Sequence, residues 1–473
     1  SLRKLAVRYE ASICGAYDFA SVIWTQRPPM TFQSPFALEE QYVGESCQVK
    51  CEKIRHQMKE EGATALILSK LEDIMWLLNI RGFDIANNLV AFSHLILEEE
   101  KIIFYTNRSV HTKEFQTYCK EQGIECRPYE SFLEDMIHYK GIGKVWIDRK
   151  MSTYAVVEAL EHKVKILNKV SPTVLGRAVK HQVEQEHMKN VYIQDSVILT
   201  KFLYWLHHNP LSGDVTEYTA GAYLDSLRKE ANGFLDYSFD TICAYEENGA
   251  MMHYKAEKET CKTIESKGLL LVDSGAHYYG GTTDVTRTVA LGPISHEAKL
   301  HATYVAIAML RLQNVTFIEG CTGRNLDLMA REIMWKHHMD YKSGTGHGVG
   351  YMLGVHEGPQ GIRYQYNQSE REAKLVEGMV VSNEPGVYLE GQYGIRTENI
   401  MVCKEVARNQ AGTFLAFQPL TFVPIDLELM VESEFTTEDI NNLNSYHAQV
   451  YEQISPYVND REREWLKKVT RQL

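Results

Sequence analysis

Residues 269–292 read LLLVDSGAHYYGGTTDVTRTVALG: an apolar run ends on an aspartate, turns through glycines and comes back through a second aspartate. A short apolar run bounded by turn residues reads as a buried strand, and the alternating return reads as its partner. Asp273 and Asp284 then sit on facing strands of a hairpin. Asp273 suits a turn residue and Asp284 an ordinary polar position on the return strand. A buried carboxylate that is neither must find a cation, because unpaired charge is costly in a protein interior.

Further along, SGTGHGVGYMLGVHEGP, GMVVSNEPGVYLEG and YGIRTENIMV repeat the pattern of a glycine-punctuated strand that presents one acidic or imidazole side chain: His347, Glu384 and Glu398. Gly-His-Gly lets the backbone approach closely while the ring stays exposed, and the proline after Glu384 restricts the backbone at that carboxylate. If these strands pair into one curved sheet, all five side chains can converge. Four carboxylates packed together repel strongly unless cations neutralise them, and two divalent ions carry the matching charge. A carboxylate-rich set with one imidazole favours Mn²⁺, with Co²⁺ or Zn²⁺ as alternatives, and does not resemble a Cys/His structural zinc site. Two such ions about 3.5–4 Å apart could hold a bridging water and lower its pKa towards neutrality. On spacing alone, a two-ion centre and a set of unrelated polar strand ends both account for these residues.

At 473 residues the chain exceeds what one core supports, so at least two domains are expected. Residues 1–45 hold RPPMTFQSP and no long periodic pattern, and read as a linker or the tail of a missing N-terminal domain. Residues 46–172 mix helix-like stretches (ESCQVKCEKIRHQMKEEG, ending at Gly62) with strands (TALILS, KVWIDR) and a hairpin-like NLVAFSHLILEEEKIIFYTN, which indicates an α/β domain. Residues 173–473 open on a long helix with Met188, Val191, Ile198, Phe202 and Trp205 near one face. A second helix carries Leu326, Met329, Ala330, Ile333 and Met334 at helical spacing, and both stripes read as core. With the antiparallel-looking strands, this points to α+β.

The formal charge of −12 argues against nucleic acid or an anionic membrane as partner, and no apolar run approaches the ~20 residues of a membrane span. Nine scattered cysteines are odd in number and suggest a reducing, cytoplasmic setting rather than a disulfide framework; Cys47 and Cys51 read as semi-buried neighbours on one helix. The start, SLRKLAVRYE, shows no secretory pattern and no initiator Met.

From about Glu45 onward the sequence resembles aminopeptidase P, the Xaa-Pro aminopeptidase branch of the pita-bread metallopeptidases. The motifs are LVDSGAHYYGGTTDVTRT, GTGHGVGYMLGVHEGP, SNEPGVY and GIRTEN, in family order, with LLNIRG, AMMHY and PLTFVPIDLELM as further matches. The resemblance implies a C-terminal pita-bread (creatinase/aminopeptidase) domain behind a smaller creatinase N-terminal-like domain. It further implies the longer, three-domain cytosolic form without its first domain, a C-terminal extension from about residue 412, and a homodimer. By the same resemblance Asp273 chelates one metal, Asp284 and Glu398 bridge the pair, and His347 and Glu384 complete the second site. Glu384 is also the proton acceptor for the bridging water. His253 and His356 line the substrate pocket and bind the scissile carbonyl or its oxyanion, against the plainer reading of histidines satisfied locally. Arg396 and Tyr388 also match pocket positions; an ion pair behind the site and a packed phenol describe them equally well. One departure stands out: the family has histidine where this chain has Ser343, which puts contacts beyond the cleaved bond in doubt.

The implied reaction is removal of the N-terminal residue from peptides with proline second, by attack of a metal-bridging hydroxide. An Xaa-Pro bond lacks the N–H that other peptidases use to position substrate. The rivals are a prolidase, which cuts only Xaa-Pro dipeptides and lacks the extension, a methionine aminopeptidase, which lacks the upstream domain, and a silent peptide- or histone-binding module, which typically loses ligands.

Overall fold

The computed structural model describes residues 2–12, 19–141, 143–209, 211, 213–365 and 372–473. Residues 1 and 13–18 of the proline-rich opening lie outside them. The rest of that opening contains the short helices Leu2–Arg8 and Phe19–Ile23, and the strand Phe36–Ala37 pairs with Ile80–Arg81.

The first sheet is six-stranded and mixed. His94–Glu98 and Ile102–Thr106 form the expected hairpin, and Ala63–Leu68 pairs antiparallel with the first of these and parallel with Lys144–Ile147. Helix Cys47–Glu60 packs on it; Ser46 caps its start by accepting from the Val49 N–H, and Gly62 follows its end at φ +65°. Cys47 and Cys51 on this helix are fully, not half, buried, and all eight cysteines among the described residues are free thiols.

From the long helix Gln182–His208 onward the strands are antiparallel throughout the described residues. Met188, Val191, Ile198 and Phe202 are buried on that helix as its stripe predicts, while Trp205 is half-buried. On helix Gly323–Lys336 the stripe holds for Leu326, Ala330, Ile333 and Met334. Met329 is instead exposed, since its position falls at the edge of the buried arc rather than within it.

The strands that carry the candidate ligands do not make one curved sheet. Leu269–Ser274 lies in the middle of a three-stranded sheet between Ile242–Tyr245 and Val285–Ala290. Gly346–Gly348, Val380–Asn383 and Asn399–Asn409 belong to a separate six-stranded sheet, completed by Thr316–Ile318, Gly412–Pro419 and Glu357–Ile362. Hydrogen bonds tie the three-stranded sheet to the segment leading into Asn399–Asn409: the Glu398 N–H donates to the Thr286 carbonyl, and the Thr288 hydroxyl donates to the Arg396 carbonyl, at the end of a separate two-stranded hairpin. An α+β architecture results, with the site on the seam between sheets.

The C-terminal residues are wired into that seam. Buried Arg287 donates to the carbonyls of Glu398, Val423 and Pro424, to Asn399 Oδ1 and to the Tyr446 hydroxyl on helix Thr437–Ile454. Between the first sheet and the later strands, Arg81 donates to the carbonyls of Tyr351 and Met352. No helix among the described residues is long and apolar enough to cross a membrane.

Candidate metal centre

In the register of the central sheet Asp273 stands opposite Thr286, and strand alternation puts Asp284, Thr286 and Thr288 on the same side. That face therefore presents two carboxylates and two hydroxyls to the seam. Asp273 Oδ2 accepts from Arg396 Nη2 at 2.6 Å, whereas Asp273 Oδ1 is buried with no protein partner. An orphaned carboxylate oxygen in a buried position is what a metal ion would satisfy.

His347 sits between two glycines for a steric reason. A Cβ on Gly346 would lie 1.9 Å from the Ser382 carbonyl oxygen, and one on Gly348 2.1 Å from that of Glu357. The backbone can thus pass close to both neighbouring strands while the imidazole points into the seam. Its Nδ1 faces the Gly348 carbonyl at 3.0 Å, which fixes the proton there and leaves Nε2 as the ligand atom. Nε2 lies 3.2 Å from Glu384 Oε1 and 3.5 Å from Asp284 Oδ2. Glu384 is held at the end of Val380–Asn383 by its own N–H to the Thr345 carbonyl, and its Oε1 accepts from the Ser382 hydroxyl at 2.9 Å. Glu398 is almost wholly buried, and Oε2 accepts from Thr286 at 2.8 Å.

Ligand atoms of Asp284, His347 and Glu398 lie within 4.8 Å of one another, with Asp273 and Glu384 flanking them. Burial, and then the charges of Glu398, Asp273 and Glu384, push Asp284 well above the ordinary carboxylate range. Burial raises Glu398 to about 8, helped by Glu384 and Asp273. Burial works against a charged His347, but its hydrogen bond to Glu384 and that residue's charge raise it to about 9. Like charges held this close and this dry fit a cationic guest, and hard oxygen donors with one imidazole fit a divalent ion.

His356 opens onto the cleft beside the site with its ring centre 4.3 Å from that of His347, edge to face. Partial burial, and after it the imidazole of His347, with His253 contributing, keep it below its usual value. His253 is exposed, following the turn Glu246–Ala250, close enough to His356 for that charge effect. The Arg396 guanidinium donates to Asp273, the Tyr388 hydroxyl and the Thr286 hydroxyl, the ion-pair arrangement that the sequence offers as the alternative to a substrate contact. The Ser343 carbonyl accepts from Arg331.

Thr286 and Ser382, each hydrogen-bonded to a candidate ligand carboxylate, are not singled out by sequence reasoning. Period-two alternation was the available signal, since each stands two residues from a candidate ligand on a strand.

Comparison with known proteins adds an independent line. The description "Metallopeptidase family M24" matches residues 186–405, "Creatinase/Prolidase N-terminal domain" residues 26–184 and "C-terminal region of peptidase_M24" residues 413–473. Xaa-Pro aminopeptidase 1 of Dictyostelium discoideum is 37% identical, over 93% of this chain and 71% of its own length. Xaa-Pro aminopeptidase 2 of Sus scrofa is 32% identical over 96% and 69%. Among solved structures, the X-prolyl aminopeptidase of Caenorhabditis elegans, described as a cytosolic enzyme with a di-nuclear active site, superposes with a TM-score of 0.93 at 30% identity. It covers all of this chain, which spans 78% of that protein. A prolidase from Pyrococcus horikoshii matches at a TM-score of 0.63 and 24% identity, over 80% of this chain and 99% of its own, which shows a shared fold.

Proposed function

This chain belongs to metallopeptidase family M24, and on that premise we propose that it is an Xaa-Pro aminopeptidase, releasing the N-terminal residue from peptides with proline second. The observation that carries this reading is the cluster of Asp284, His347 and Glu398, flanked by Glu384 and by the orphaned oxygen of Asp273. Asp273, Asp284, His347, Glu384 and Glu398 would hold two divalent ions, with manganese favoured by the oxygen-rich set. When bound, such ions supply an activated water and polarise the scissile carbonyl.

The chain's own residues supply the rest. Ser382 donates to Glu384 Oε1, and Glu384 would take a proton from the attacking water and return it to the departing proline nitrogen. His356, which lines the cleft with His253 near enough to act on its charge, would donate to the developing oxyanion, a contact worth about 3–4 kcal/mol when well aimed. Arg396 orients Asp273 and favours its charged form against the burial that raises its pKa.

We assign residues 46–172 to the N-terminal-like domain and 173–473 to the catalytic one. A homodimer and a cytosolic setting are part of the proposal, the latter supported by the free thiols. The test is hydrolysis of Arg-Pro-Pro beside Arg-Pro and Met-Ala-Ser, with Mn²⁺ and after chelation, using Glu384→Ala as control. Metal-dependent release of arginine from the tripeptide alone is expected. Cleavage restricted to the dipeptide would make the protein a prolidase, and no cleavage with metal verifiably bound would remove the enzyme reading.

A further inference from the structure

His253 lies on a segment that, after the short turn Glu246–Ala250, has neither helix nor strand through Lys262. A segment of that length opens at little cost unless something ties it down. One carboxylate does so. Glu217 stands in the first turn of helix Glu217–Lys229 and is wholly buried. Its Oε1 accepts from the Tyr245 backbone N–H at 2.7 Å and from Asn248 Nδ2 at 2.9 Å. Its Oε2 accepts from the Tyr254 hydroxyl at 2.7 Å, the Lys262 backbone N–H at 2.8 Å and Asn248 Nδ2 at 3.1 Å. The donors thus fall at the entry, the turn, the residue after His253 and the exit of one segment. Hydrogen bonds to a buried carboxylate are charge-assisted, and leaving such a group unpaired is costly. At the exit the Glu217 N–H also donates to the Lys262 carbonyl at 3.0 Å, and Thr216 bridges to Thr263.

The other side of the segment rests on the candidate metal centre. Tyr245 ends the strand Ile242–Tyr245, on which Ile242 stands opposite Asp273. Gly249 in the turn and Gly394 pass so close that a Cβ on Gly394 would lie 1.7 Å from the Gly249 carbonyl oxygen. Gly394 belongs to the strand Tyr393–Arg396, which ends on the partner of Asp273. With the turn seated there, the portion left to move without Glu217 runs from Met251 to Cys261, and it includes exposed His253. That imidazole bears on the charge of His356, so the two are near neighbours.

We propose that Glu217 is a positioning residue for the reaction: by tying the segment at Tyr245, Asn248, Tyr254 and Lys262 it holds His253 beside His356. The inference rests on the aminopeptidase reading above, in which these imidazoles meet the oxyanion. A contact made in the transition state is expressed in kcat, with KM little changed.

The test is a pair of double-mutant cycles on the Mn²⁺-loaded enzyme with Arg-Pro-Pro, joining Glu217→Gln and, separately, Tyr254→Phe to His253→Ala. The Gln variant keeps the shape but turns an amide N–H₂ towards backbone donors; the Phe variant removes one hydroxyl and decides the matter if the Gln protein does not fold. Since a displacement of about 1 Å can cost about a hundredfold, Glu217→Gln should lower kcat about ten- to hundredfold and Tyr254→Phe less. Metal content by elemental analysis should not change. In the His253→Ala background neither substitution should cost more than about twofold further. In the metal-free protein, hydrogen exchange over 245–262 should quicken in both variants while that of Val380–Asn383 holds. Losses that multiply in full with that of His253→Ala, or a fall in bound metal, would route the effect through Arg396 and Asp273 and overturn the proposal; unchanged exchange would overturn it too. Wild-type activity in His253→Ala would overturn it at its premise, the part of that imidazole in the reaction. No cleavage by the wild type, beside quickened exchange in the variants, would instead fault the enzymatic reading and leave the tie on the segment standing.

Discussion

Glu357 offers a perturbation whose cost can be worked from the structure. It is 3% exposed and accepts from Arg177 and Lys180, while Arg177 also donates to Asp73, so two cations and two carboxylates balance in a buried cluster. Burial alone would lower the Arg177 pKa, but Glu357 and Asp73 together outweigh it and keep the guanidinium charged. Glu357→Gln keeps the shape and removes one negative charge, leaving two buried cations facing one carboxylate. Removing one partner of a buried pair costs about 3–5 kcal/mol, because the remaining charge stays desolvated. For a cooperative unit of about 300 residues that is a fall in melting temperature of about 5–8 °C. Differential scanning calorimetry at low and high salt is the assay, and the loss should change little with salt because the cluster is dry. Lys180→Met added to Glu357→Gln restores charge balance and should recover part of the loss. A double variant as unstable as the single one, or a single variant within about 1 kcal/mol of wild type, would refute charge imbalance as the cause.

Three further outcomes follow from the same geometry. Asp284→Asn should reduce bound metal below two ions per chain and abolish hydrolysis with little effect on helix content, checked by elemental analysis and circular dichroism. Gly346→Ala forces a Cβ to 1.9 Å from the Ser382 oxygen, so it should destabilise by about 1–3 kcal/mol and weaken metal binding through His347, seen by denaturation and metal titration. His277 and His447 are wholly buried with pKa values pushed down to about 4, by burial first, so the folded state binds fewer protons than the unfolded between pH 6.5 and 4. Their contribution is complete above pH 6.5 and is lost as pH falls through that window; His447→Gln should flatten the pH dependence of the denaturation midpoint there.

By itself the sequence determined which side chains could do chemistry and which strands would carry them. Glycine flanks, the proline after Glu384 and period-two alternation are local constraints, and they place Asp273, Asp284, His347, Glu384 and Glu398 at strand ends whatever the rest of the chain does. Turn and cap chemistry likewise located the first helix, between Ser46 and Gly62, and the hairpin of the first domain. Only the tertiary structure decided that the candidate ligands meet across two sheets rather than within one. It also set Arg396 against Asp273, 123 residues away. Such partners are chosen by burial: once the seam excludes water, a guanidinium, a carboxylate and a hydroxyl must satisfy one another, and no local pattern records which ones will be near. The Asp73–Arg177–Glu357–Lys180 cluster was invisible for the same reason, since it joins a first-domain helix to the strand beside His356 across 180 residues between Arg177 and Glu357.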